Sequence, residues 1–341
     1  NYNQYTYIYD NECLPQTVIN YDNYYINYGG LYNERFEEGV VTSDGGYIAV
    51  GRTNSQNIEG IESSYSTIND DALIVKYDAR GNVIWQDTFG GSNADYFYNV
   101  IEIEENGQKY YIAVGDFSSI DGDLADANAV SAYNKSAIIK YDVNGNIVDK
   151  KIFVDYSYIR SIKKIDNGYI AVGYFNDDYQ GEIYENKIND YKGYGDAFIM
   201  QLNNNFEVEW SSFFGGSNAE VFNDFIITDF GYVVVGQGRS ADGDMADIHV
   251  DDDAYVYDGI IVSYDKEGNV LNKEAFGSSA DDYFYDLVDV SDGYIAVGFA
   301  RNNDLDLSDT GKSGAIIVKY DKSLNFEKYI TVDNNSSNNL T

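Results

Sequence analysis

The chain has 341 residues, 44% of them apolar, and carries 57 acidic against 22 basic side chains, a formal charge of −35. Such a surface repels nucleic acid and anionic membranes and favours cationic partners. A single cysteine, Cys13, and a single histidine, His249, exclude an intramolecular disulfide and a Cys/His zinc site. No apolar run reaches the roughly 18 residues that a membrane-spanning helix needs.

The chain opens on "NYNQYTYIYD", which lacks the basic-then-apolar pattern of a signal peptide, so an extracellular location implies a leader removed beforehand. Residues 17–30, "TVINYDNYYINYGG", read as a hairpin. Five repeat units follow, at about residues 31–89, 90–153, 154–214, 215–276 and 277–332. Each holds "GYIAVG" or a close variant, ending at Gly51, Gly115, Gly173, Gly236 and Gly298. A polar stretch comes next, then an apolar run such as "DALIVKYDARGNVIW" or "DGIIVSYDKEGNVL". "FGGSNAD", "FGGSNAE" and "FGSSADD" close the first, third and fourth units, whereas the second closes on "FVDYSYIRS". Residues 333–341, "DNNSSNNLT", form a polar tail.

Each unit resolves into four short strands. In the fourth they fall at about residues 222–228, 232–236, 259–264 and 270–276. Tight Gly turns join the first two strands, and Asp-to-Gly turns such as "YDARGN" join the last two. The second and third strands are continuous apolar runs, which suits strands covered on both faces. Helical periodicity is absent, and one proline in the chain suits dense strand pairing. The expected fold is therefore all-β: a β-propeller of four-stranded antiparallel blades. Five blades are expected, or six with the N-terminal hairpin. A β-helix needs shorter coils, and isolated units of about 60 residues bury too little to stand alone.

"SDGGYIAVG", "SIDGDLADAN" and "DALIVKYDARGNVIWQDTFGGSNADYFYNVIEI" resemble the bacterial secreted β-propeller-repeat family, over residues 28–328. The resemblance implies a propeller within a large surface or secreted protein, with no assigned activity. The second-to-third unit junction and the number of repeats, fewer than the seven often expected, depart from that pattern.

The stretch after the second strand is acidic in three units. "DGDLAD" starts at Asp121, "DGDMAD" at Asp242, and the third unit of the set places Asp304, Asp306 and Asp309 in the same register. Carboxylates thus recur at positions n, n+2 and n+5: Asp121, Asp123 and Asp126; Asp242, Asp244 and Asp247; Asp304, Asp306 and Asp309. Leu124, Met245 and Leu307 at n+3 would anchor each loop. The first unit offers Asn57, Glu59 and Glu62, and the third has lost the pattern at Tyr179, Gly181 and Tyr184. Three oxygens from one loop suit calcium, which takes about six to eight oxygen ligands. The competing reading is a solvated Asx-turn whose carboxylates accept backbone N–H groups. A second repeated acid follows each Gly pair: Glu34, Asp95, Glu220 and Asp282. Strand alternation puts both sets on one face.

Catalysis has little support. No G-x-S-x-G elbow occurs, His249 sits in the polar insert "ADIHVDDDA", and "TGKS" at 310–313 lacks the first Gly and the helix of a phosphate loop. A glycosidase would need two carboxylates outside the repeat, such as Asp177, Asp178, Asp251, Asp252 or Asp253. The 35 tyrosines suggest sugar stacking, but the repeated strand positions Tyr47, Tyr111, Tyr169, Tyr232 and Tyr294, with Phe97, Phe222 and Phe284, fit core packing. The expected function is a non-catalytic extracellular binding or adhesion module. It would be monomeric, meeting a protein or glycan on a cell surface, with calcium as the one candidate cofactor. The alternative is a glycan-binding or glycan-cleaving propeller.

Overall fold

In the computed structural model, the described residues are 28–55, 58, 69–127, 135–153, 157–176, 182–185, 187, 189–248, 256–301, 304–307 and 314–333. They form twenty strands in five antiparallel sheets. The first sheet holds β1 (Glu34–Val41), β2 (Tyr47–Thr53), β3 (Asp71–Tyr77) and β4 (Val83–Phe89). The second holds β5 (Asp95–Glu105), β6 (Gln108–Phe117), β7 (Lys135–Asp142) and β8 (Ile147–Phe153). The third holds β9 (Ser157–Ile165), β10 (Gly168–Phe175), β11 (Asp196–Leu202) and β12 (Val208–Phe214). The fourth holds β13 (Glu220–Ile227), β14 (Gly231–Gly238), β15 (Asp258–Asp265) and β16 (Val270–Phe276). The fifth holds β17 (Asp282–Val290), β18 (Gly293–Ala300), β19 (Gly314–Asp321) and β20 (Phe326–Asp333). Spatial order follows chain order in every sheet. The five units read from the repeated motif are thus five four-stranded sheets in a propeller-like arrangement. The N-terminal hairpin lies almost wholly outside the described residues.

The turn between the last two strands is built by side chains. Asp78 Oδ1 accepts the N–H groups of Arg80 and Asn82, each at 2.8 Å, while its Oδ2 takes the Asn82 amide. Asp142, Asp265 and Asp321 repeat the set, and Asn203 substitutes in the third sheet. Gly81, Gly145 and Gly268 supply the positive φ, and Phe206 and Leu324 adopt it where glycine is missing. Both of those side chains are buried, so core packing offsets the left-handed backbone.

A bulge marks every first strand. Pairing skips one residue, at Glu37, Tyr98, Arg160, Asn223 and Tyr285. The carbonyl before each bulge closes on the glycine that ends "GYIAVG". A Cβ on Gly51, Gly115, Gly173, Gly236 or Gly298 would stand only 1.8–1.9 Å from that oxygen. Spacing, not φ, requires these glycines.

The core is the set of sheet-to-sheet junctions. Each later first strand packs on the preceding sheet: β5 on β1–β3, β9 on β5–β7, β13 on β9–β11, and β17 on β13–β15. Phe97, Phe222 and Phe284 are fully buried and meet Phe89, Phe214 and Phe276 of the sheet before, with ring centroids at 6.3, 5.7 and 6.4 Å. Tyr28 meets Phe36 at 5.4 Å in the same eight-residue register. The first and fifth sheets share no strand contact of comparable extent. Accordingly Phe36 is 38% exposed, and Ile330 and Val332 of β20 are 58% and 49% exposed.

Candidate functional site: the acidic turns and the axial cluster

The acidic motifs form short 3-10 turns, at Gly122–Ala127, Gly243–Met245 and Leu305–Leu307. Gly122 and Gly243 enter them with φ of +61°, and Leu305 takes φ of +51° at the same position. Leu124, Met245 and Leu307 are buried and pin each turn.

The carboxylates at n and n+2 point into the neighbouring Gly turn. Asp121, Asp242 and Asp304 accept the N–H groups of Ser92, Ser217 and Ser279, at 2.8, 2.6 and 2.8 Å. Asp123, Asp244 and Asp306 accept the N–H groups of Gly90, Gly215 and Gly277, at 3.0, 3.1 and 3.1 Å. Their own N–H groups return to the carbonyls of the same glycines, at 2.9, 2.8 and 3.3 Å. Each turn is therefore clasped to the link between two sheets. The Ser92 amide holds the Asp121 carboxyl below its ordinary pKa, and the Ser279 hydroxyl and amide do so for Asp304. Burial pushes Asp123 and Asp306 upward. At n+5, Asp247 is exposed, the Asp126 side chain is outside the description, and Asp309 lies outside the described residues. Among the described residues, no group of three or more Asp, Glu, His or Cys side chains has metal-holding geometry. Lysines also reach these turns: Lys150 Nζ donates to the Asp123 carbonyl at 3.0 Å, and Lys192 pairs with Asp244.

The second repeated acids lie on the same face but are not exposed. Asp95 accepts the N–H groups of Gly91, Ser118 and Ser119 and the Ser119 hydroxyl. Glu220 does the same with Gly216, Arg239 and Ser240, and Asp282 with Ser278 and Arg301. Glu34 takes the Gly30 N–H and the Thr53 hydroxyl. These acids brace the links.

A second cluster escaped the spacing argument. The residues just past the five bulges are Glu38, Asn99, Ser161, Asp224 and Asp286, one from each first strand. The Asn99 amide donates to Glu38, and Asn99 Oδ1 accepts the Ile162 N–H at 3.1 Å. Ser161 Oγ donates to Asp224 Oδ1 at 2.7 Å, and Lys163 Nζ reaches the same oxygen at 2.8 Å. Asp286 lies beside Asp224 and within electrostatic reach of Lys163. Burial, reinforced by Asp224 and Asp286, pushes the Glu38 carboxyl up to about 7. Three carboxyls thus converge on one lysine where the first strands meet. The signal was a polar residue two places after Phe36, Phe97, Ile159, Phe222 and Phe284, which does not stand out because these strands carry other polar residues as well.

Asp177, Asp178, His249, Asp251, Asp252, Asp253 and residues 310–313 all lie outside the described residues. Compared with protein-family models and with curated proteins, the chain gives no match.

Proposed function

We propose that the chain is a non-catalytic, monomeric binding module of an extracellular surface or secreted protein, its five sheets being the blades of a propeller. The observation that carries this reading is the convergence of Glu38, Asp224 and Asp286 on Lys163. One residue per first strand meets there, which suits a propeller axis, and the cluster has an excess of negative charge. With a formal charge of −35 over the chain, the chemistry favours a cationic partner, such as a lysine-rich protein segment. The extracellular location follows from the family resemblance of the repeat. No catalytic role is proposed, because the repeated acids hold backbone amides and a reaction centre is asymmetric.

Titration of a labelled oligolysine peptide into the chain is expected to give saturable binding that weakens with salt, as exposed charge pairs are screened. Glu38→Gln with Asp286→Asn is expected to weaken it further. Absence of binding at low salt would overturn the cationic-partner reading. Salt-insensitive binding on a glycan array would favour a lectin instead, and glycan hydrolysis lost on Asp252→Asn would make the chain an enzyme. Calorimetry with calcium separates the two roles of the acidic turns. Heat with a stoichiometry near three would assign ions to them in addition to amides, and no heat leaves the clasp as their role.

A further inference from the structure

At three of the four junctions between consecutive sheets, two buried carboxyls face each other across the first glycine of the link. Asp71 of β3 faces Asp95 of β5, Asp196 of β11 faces Glu220 of β13, and Asp258 of β15 faces Asp282 of β17. All six side chains have 0% exposure. A Cβ on Gly215 would lie 2.6 Å from Asp196 Oδ1 and 2.4 Å from Glu220 Oε2. On Gly277 the distances are 2.4 Å to Asp258 and 2.9 Å to Asp282, and on Gly90 they are 3.1 Å to Asp71 and 2.5 Å to Asp95. That space explains the first glycine of "FGG" and "FGS". It also brings two acids together where water cannot screen them. Asp196 Oδ1 is buried without a hydrogen-bond donor. The fourth junction has Lys135 where the others have Asp, and Ser157 where they have Asp or Glu.

We propose that each of these three carboxyl pairs retains a proton in the folded chain, so that the junctions are pH-sensitive latches that tighten in mild acid and loosen as pH rises. Two ionised carboxylates side by side in a buried site are costly, and one shared proton removes the repulsion.

The surrounding charges differ between the pairs. Lys135 faces Asp95 of the first pair, Asp244 and its partner Lys192 both face Asp196 of the second, and Asp306 faces Asp258 of the third, so the third pair has the least help from a cation. The guanidinium of Arg301 is turned to Asp281, and that of Arg239 lies over the Tyr257 ring, so the second and third pairs gain no cation from these side chains. Burial is the main cause that pushes Asp95 and Asp282 up to about 6 and Asp196 up to about 7, with Glu220 also raised. Because the folded pKa lies above the unfolded one, the folded chain holds protons that the unfolded chain releases. The stabilisation is complete below the unfolded carboxyl pKa of about 4 and is lost as pH rises through 6 to 7. The acidic turns are clasped to the glycines that these pairs straddle. Loosening a latch therefore also loosens the acidic face.

Denaturant unfolding of the whole chain at about pH 5 and about pH 8 tests this. Each pair is expected to raise the unfolding constant by up to about tenfold per pH unit in that window. Asp196→Asn with Asp258→Asn removes the need for a shared proton, and is expected to flatten the loss and to be more stable than the wild type at the higher pH. Glu267→Gln with Asp166→Asn, at exposed sites, removes the same charge and is expected to leave the slope unchanged. Infrared difference spectra of the wild type across the same range read the protons directly, as a protonated-carboxyl band that fades with rising pH and is reduced in the double variant. An unchanged slope in the Asp196/Asp258 variant, or no such band in the wild type, would overturn the proposal.

Discussion

Replacing Gly236 by alanine is expected to destabilise the chain by about 3 kcal/mol or more, because the new Cβ must displace backbone rather than a side-chain tip. Its position lies 1.9 Å from the Val221 carbonyl oxygen and 2.9 Å from the Phe222 Cα, so the bulge of β13 would have to open. Opening it moves Asp224 away from Ser161 and Lys163, and Phe222 out of the junction, both of which sit beside the skipped residue. Gly107→Ala is the contrast. Gly107 has φ of +76° but nothing within 4 Å of its Cβ position, so only backbone strain is added, about 1 kcal/mol. Chemical denaturation of the two variants separates the clash from the strain. Equal losses would contradict the role assigned to the bulge.

Phe222→Ala is expected to cost about 3–5 kcal/mol, the range for emptying an aromatic site in a closed core. Phe222 is fully buried between Phe214, at 5.7 Å, and Tyr264, at 6.2 Å, so truncation leaves a cavity at a sheet junction. Phe36 occupies the same place in the first sheet, where it is 38% exposed. Phe36→Ala is therefore expected to cost less than half as much. Denaturation midpoints of the pair measure the difference between an internal junction and the outward side of the first sheet. Similar losses would show that the first sheet is covered as fully as the others.

Much of this fold could be read from the sequence because the punctuation is local. Asp78 through Asn82 define their turn with their own side chains, and the same pattern recurs at Asp142, Asp265 and Asp321. The bulges were not legible, since a skipped residue is a property of pairing between strands. Only the glycine ending each "GYIAVG" marked them, and it reads equally well as a strand end. The acidic motifs show a subtler limit. Oxygens at n, n+2 and n+5 suit a cation, but they also suit the positive ends of amides, and the spacing alone does not separate the two. The partner amides of Asp123 and Asp244 belong to Gly90 and Gly215, distant in the chain. Glu38, Asp224 and Asp286 were missed for the same reason: each is an ordinary polar residue in its own strand and becomes part of a cluster only where the strands meet.

The central claim is that the first strands of all five sheets share one axis. It is tested most directly by placing cysteines at Glu38 and Asp286 in a Cys13→Ser background and treating the chain with a short bis-maleimide. Glu38 and Asp286 come from the first and fifth sheets and lie within electrostatic reach of each other. Efficient intramolecular cross-linking of this pair, and none between Glu38→Cys and Glu267→Cys, is the predicted result. Failure of the Glu38–Asp286 pair to cross-link in the folded chain would contradict the shared axis and leave the sheets as an open stack whose first and last members are apart.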